Sequence, residues 1–133
     1  MEYISAEEFL KQPEEVQAVF LNWWEPSVGD LFNFPEIDSQ DCREVEYICS
    51  VNRLKTISLT RTIPLLTEGQ LRKFIEDKTG YKIDLNYYEI NGYDLALTEG
   101  KTNYFNYLDL GHDLLQAYWK VACEIASSEV KDE

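Results

Sequence analysis

The chain is poor in the residues that build metal centres and nucleophilic triads. It holds one histidine, His112, and three cysteines, Cys42, Cys49 and Cys123, in 133 residues. The cysteines form no C-x-x-C pair, so zinc finds no ligand set at its usual spacings. Three unpatterned thiols read as reduced cysteines of a cytoplasmic protein, with a Cys42–Cys49 bridge as the alternative. Basic residues are scarce as well. Twelve Lys and Arg face 25 Asp and Glu, for a net charge of −13. That balance argues against sequence-independent binding to nucleic acid or to an anionic membrane. No apolar run approaches the roughly 18–20 residues that cross a bilayer. Met1-Glu2-Tyr3-Ile4-Ser5 lacks both the basic and the apolar stretch of a secretory leader. Gly100-Lys101-Thr102 ends like a phosphate-binding loop, but the earlier glycine is missing and the segment joins two strands. His112 has no Ser or Cys partner close in sequence and reads as an exposed residue at a helix start. The expectation is a protein without catalytic residues, metal or cofactor.

What the chain does have is apolar and aromatic content, 44% and 14%. A chain of this length buries roughly two-thirds of its unfolded surface, enough for a core without staples. Its six Gly and four Pro sit at element boundaries, which predicts one domain over 1–133. Ser5-Ala6-Glu7-Glu8 is a capping box, flanked by Ile4 and Phe9 at staple positions, and predicts a helix over 6–12. Pro13 then opens a helix over 13–24, in which Val16, Val19, Phe20, Trp23 and Trp24 share one face. Strands are expected over 28–34, 45–51 and 54–61, with an acidic loop over 35–43. Thr67 and Gln70 form a second capping box, with Leu66 and Leu71 at staple positions and Gly80 past the end of the helix.

Asn91-Gly92 predicts a two-residue type I′ turn between strands 82–90 and 93–98. That register sets Ile90 against Tyr93, Tyr88 against Leu95 and Asn86 against Leu97 on a core face. It sets Glu89 directly against Asp94 on the outer face. Glu99-Gly100-Lys101 turns the chain into a strand over about 102–107. A helix over about 110–128, striped by Leu114, Tyr118, Val121 and Ile125 and widened by Trp119 and Ala122, closes the fold ahead of a frayed tail, 129–133. The order of elements predicts an α+β fold. An antiparallel sheet of about five or six strands packs against N-terminal, central and C-terminal helices.

Charge is unevenly spread. Residues 53–82 carry seven Lys or Arg and three acids, while residues 1–52 carry two basic and twelve acidic residues. Two function classes follow. In the first, the acidic surface binds a positively charged protein through Glu36, Asp38, Asp41, Glu44 and Glu46, and through the Glu89 and Asp94 pair. In the second, Arg53, Lys55, Arg61, Arg72 and Lys73 hold an anion such as a nucleotide, helped by the amides that open the helix after Thr67. Nine Tyr, several of them on the outer sheet face, suit a protein interface and allow a homodimer.

Three stretches carry a resemblance. They are residues 19–32 (VFLNWWEPSVGDLF), residues 63–78 (IPLLTEGQLRKFIEDK) and residues 117–122 (AYWKVA). They resemble small uncharacterised phage and prophage proteins of Firmicutes, a group without an established activity. The resemblance implies a role in the cytoplasm of a bacterial host, and no site residues come with it. Together with the acidic surface it leads to a non-enzymatic accessory protein that inhibits a host defence or nucleic-acid-handling protein. Its partner would present a basic surface, with no direct binding of nucleic acid or membrane.

Overall fold

The computed structural model describes residues 2–33, 46–47 and 62–131. The chain divides into two compact units, Ile4–Leu66, and Thr67–Glu133 together with Met1–Tyr3. Each builds its own small antiparallel sheet, so the class is α+β as expected. Among the described residues, the single sheet is corrected to two three-stranded ones. The reason lies in pairing: every ladder among the described residues closes within one unit.

In the Ile4–Leu66 unit the Ser5 hydroxyl accepts from the Glu8 N–H and starts helix α1, Ala6–Leu10. Helix α2, Glu14–Trp23, follows, with Pro13 at its N-cap. The Gln17 side chain donates to the Gln12 carbonyl at 2.8 Å and ties the joint between the two helices. Past α2, the Asp30 carboxylate accepts from both the Trp24 indole and the Ser27 N–H, each at 3.0 Å. This closed turn, with Gly29 at φ 100, delays the strand expected from Val28. Strand β1 spans only Leu31–Asn33. It pairs with β2, Glu46–Tyr47, on one side and with β3, Ile63–Pro64, on the other. Pro64 is tolerated because, among the described residues, β3 pairs on one side only. Leu65 N–H, not that of position 64, reaches β1. Phe9, Phe20 and Phe32 are fully buried, each contributing about 1.5–3 kcal/mol of apolar burial. The remainder of the strands expected over 45–51 and 54–61 lies outside the described residues, as do Cys42 and Cys49.

In the other unit the Thr67 capping box forms as read. Thr67 Oγ1 accepts from the Gln70 N–H, and Gln70 Oε1 accepts from the Thr67 N–H. It opens helix α3, Glu68–Thr79, and Gly80 ends it at φ 75. Leu71, Phe74 and Ile75 are fully buried. Strands β4, Lys82–Tyr88, β5, Gly92–Glu99, and β6, Thr102–Tyr107, form a meander in the order β4-β5-β6. Helix α4, Leu114–Lys131, packs against α3. Of the expected face, Tyr118, Val121, Trp119 and Ala122 are buried and Leu114 and Ile125 are half-buried, while Leu115, Ala117 and Ala126 join the buried side. The helix also runs further than expected: Glu129 is helical and accepts an ion pair from Lys78 at 3.1 Å. Among the described residues no helix is long and apolar enough to cross a membrane.

The hairpin register is the main correction. Tyr87 faces Tyr93, Asn86 faces Asp94, Leu85 faces Leu95 and Ile83 faces Leu97. Three residues, Glu89, Ile90 and Asn91, separate the paired Tyr88 and Gly92. Among these, only Gly92 has a positive φ, 81°, so the type I′ turn, which needs two such residues, does not form. The Glu89 and Asp94 pair is therefore not made. The apolar face is the one carrying Ile83, Leu85, Tyr87, Tyr93, Leu95 and Leu97. Tyr88 and Ile90, expected in the core, are exposed.

Candidate functional site

The closed end of the β4–β5 hairpin is held by the segment that links β6 to α4. Asp109 adopts φ 57, a left-handed conformation uncommon outside glycine. Its N–H donates to the Asp94 carboxylate at 3.0 Å, which stabilises the bend. The next two residues then meet β5: Leu110 N–H donates to the Tyr93 carbonyl at 2.9 Å, and Tyr93 N–H donates to the Gly111 carbonyl at 2.7 Å. Gly92 and Gly111 approach so closely that a Cβ on Gly92 would collide with the Gly111 backbone. This explains the lost type I′ turn. Hydrogen bonds to a segment far along the chain outweigh the local preference of Asn91-Gly92.

His112 completes the joint. Its Nε2 lies 3.0 Å from the Glu89 carbonyl, an acceptor, so this nitrogen carries the hydrogen. The imidazole stands edge-on to Tyr87 at 5.8 Å, and Tyr87 packs on Tyr93 at 4.9 Å. Asp113 caps α4 by accepting the Gln116 N–H at 3.1 Å. Lys120 donates to the Leu110 carbonyl at 3.1 Å.

The outer surface of this joint is apolar where folding alone would not make it so. Tyr87 is 54% exposed, Tyr88 53%, Leu108 63% and Ile90 88%. Around them stand the carboxylates of Glu89, Asp94, Asp109 and Asp113. Isolated exposed apolar residues are ordinary, whereas here four large ones gather at one end of a small sheet. Aromatic residues beside four carboxylates, with Lys120 as a cation at the same joint, suit a protein partner of net positive charge.

The sequence-predicted site residues fall out as follows. Glu89 and Asp94 both lie at this hairpin end, though not opposite each other. Glu36, Asp38, Asp41 and Glu44 lie outside the described residues, as do Arg53, Lys55 and Arg61. Glu46 is in β2, across from Phe32. Arg72 and Lys73 are on α3, each beside an acid one turn on. Arg72 Nε is 3.9 Å from Glu76, and Lys73 Nζ is 2.8 Å from Asp77. The hollow at the start of α3 is lined by Glu2, Thr67, Glu68 and Gly69, so carboxylates stand where an anion would sit. The capping box already uses the N–H groups of Thr67 and Gln70. Sequence reading missed Tyr87, Ile90, Leu108, Asp109 and His112 as one surface. The signal that could have found them is Gly111, a glycine just ahead of a helix start and in need of a reason. Burial raises the Tyr107 hydroxyl above its ordinary pKa, with the Glu124 carboxylate adding to the shift. Burial raises Tyr118 as well. The Arg72 charge and its hydrogen bond oppose that shift, and Glu68 and Glu76 reinforce it.

Comparison of the chain with protein-family models, curated proteins and solved structures found no match.

Proposed function

We propose that the chain is a non-enzymatic binding protein that docks a positively charged protein partner on the acidic, aromatic end of the β4–β5 hairpin. The observation that carries the reading is the exposure of Tyr87, Tyr88, Ile90 and Leu108 amid four carboxylates. Apolar side chains supply the burial that holds a partner, and the carboxylates supply steering and choice of partner. On the resemblance to phage and prophage proteins, the partner is a bacterial host protein with a basic groove, and occupying that groove inhibits it. The acidic residues at 36–46 extend the same electrostatic character along the chain.

Capture from host lysate on the immobilised full chain tests this. A partner retained at low salt should be released as ionic strength rises, because steered charged interfaces are screened. Retention that is equal at low and high salt counts against an acidic interface.

A further inference from the structure

Strand β4 is an edge strand: in the sheet order β4-β5-β6 it has β5 on one side and, among the described residues, no strand on the other. Its ladder fixes which backbone groups face outward. Ile83 N–H leaves the sheet, donating to Glu76 Oε2 at 3.3 Å. Ile83 is thus in a non-hydrogen-bonded pair with Leu97, and the alternation of an antiparallel ladder gives Leu85 and Tyr87 the same orientation. The opposite strand agrees. Tyr93, the partner of Tyr87, spends its N–H and carbonyl on Gly111 and Leu110, away from β4. So the N–H and carbonyl groups of Leu85 and Tyr87 point out along a free edge. Natural edges are blunted by lysine, proline, bulges or a covering side chain. Among the described residues, β4 has such protection only at its start, from Lys82 and the Glu76 carboxylate at Ile83. From Asp84 to Tyr88 it has no Lys and no Pro, and the bulge of this sheet lies between β5 and β6.

We propose that this edge, Leu85 to Tyr88, takes an extended lysine- or arginine-bearing segment of the partner as an added strand. The proposal rests on the acidic-interface reading above and states how the partner is held. Main-chain hydrogen bonds at Leu85 and Tyr87 give affinity, and alternate side chains of the added strand meet Tyr87 on one face and Tyr88 on the other. Charge chooses the occupant. Asp84 and Glu89 flank the edge, so a second copy of this chain, itself at −13, would bring like charges together. A basic strand brings opposite ones.

The test measures amide hydrogen exchange on the isotopically labelled full chain with two synthetic peptides of equal charge. One alternates Lys with Val, and the other alternates Lys with Pro, which cannot add to a ladder. The Lys-Val peptide should slow exchange at Leu85 and Tyr87 by about tenfold or more, and the Lys-Pro peptide should not. Equal protection from both, or none from either, overturns strand addition. Tyr87→Pro removes one outward N–H, and Tyr87→Ala removes the ring but keeps that N–H. Weaker Lys-Val binding in the first than in the second supports the proposal, and equal weakening opposes it. Self-association of the unliganded chain, with the same two amides protected, would reassign the edge to a second copy. The two readings fail separately. Salt-sensitive capture of a host protein without protection at Leu85 and Tyr87 removes only the added strand. Salt-insensitive capture removes the acidic interface whatever the peptides do.

Discussion

The start of α3 and the closed end of the β4–β5 hairpin are both element ends with backbone groups to satisfy, and they satisfy them differently. At α3 the work stays within four residues: Thr67 and Gln70 exchange hydrogen bonds, and little else is asked of the molecule. At the hairpin end the partners come from far along the chain. Glu89 accepts from His112, 23 residues away, and Asp94 accepts from Asp109, 15 residues away. An end closed locally is insulated from change elsewhere. One closed by a distant segment has its backbone locked from outside, and its side chains are released to solvent. The second arrangement gives a rigid presentation of apolar groups, which an interface needs.

Gly92→Ala should break this comparison most severely. The substitution meets a positive φ, which disfavours any side chain by about 1–2 kcal/mol. It also drives a Cβ into the Gly111 backbone. The joint must open, with a loss of more than about 3 kcal/mol in a denaturant melt, the sum of strain and overpacking. Gly100→Ala supplies the control. Gly100 has φ 62 with nothing near its would-be Cβ, so only the conformational penalty of about 1 kcal/mol is expected. Equal losses at the two glycines would mean that the Gly92 and Gly111 approach contributes nothing.

The same contrast explains what could be read from the sequence. Both capping boxes, the stop at Gly80, the two N-terminal helices and the strand after Gly100-Lys101 follow from residues at most a few positions apart. All form close to the expected places. The division into two sheets could not be read, because strand patterns say nothing about which strands pair. Strand β3 was missed because its Pro64 speaks against a strand unless the edge position is known. The hairpin register failed for the reason given by Gly111. A two-residue turn is favoured by Asn91-Gly92 alone, and a three-residue loop wins once Leu110, Gly111 and His112 bind the strand end. Of the candidate surface, the carboxylates Glu89 and Asp94 and the outward Tyr87 were legible, while Tyr88 and Ile90 were assigned to the core by the same register error.

A smaller effect belongs to the locally closed start of α3. Thr67→Ala removes one half of the α3 capping box and should destabilise by about 1 kcal/mol. It should leave partner binding at the hairpin end unchanged, because the loss is confined to the first turn of α3. A thermal melt and a capture assay on one preparation check both halves. If Thr67→Ala disturbs hairpin-end exchange as strongly as Gly92→Ala does, the two ends are not independent.

At neutral pH the buried tyrosines contribute no pH dependence, and their effect lies in alkali. Both Tyr107 and Tyr118 are raised above the ordinary value of 10.0. A raised folded value means that the native state holds the proton more tightly than the unfolded chain. The stability that results is fully present below pH 10 and is lost as pH rises through the folded values. Melts from neutral pH upward should show this fall, and Tyr118→Phe should make it shallower. A flat profile would show that neither hydroxyl is shielded from solvent.

Ile90→Ser should have the smallest effect on stability and a large one on binding. The side chain is 88% exposed, so the folded state gains little from it. The melt should move by no more than about 0.5 kcal/mol, as for surface substitutions in general. Binding should respond differently. An isoleucine buried against a partner contributes about 1.5–3 kcal/mol, so its loss weakens the complex about tenfold or more. Gly92→Ala, by contrast, should lower stability and binding together, because it dismantles the joint that presents the side chains. A loss of stability above about 1 kcal/mol in Ile90→Ser would mean that Ile90 packs against the protein itself. Unchanged binding would move the interface away from the hairpin end, to the acidic residues at 36–46. The two variants thus separate the residue that shapes this surface from the residue that it displays.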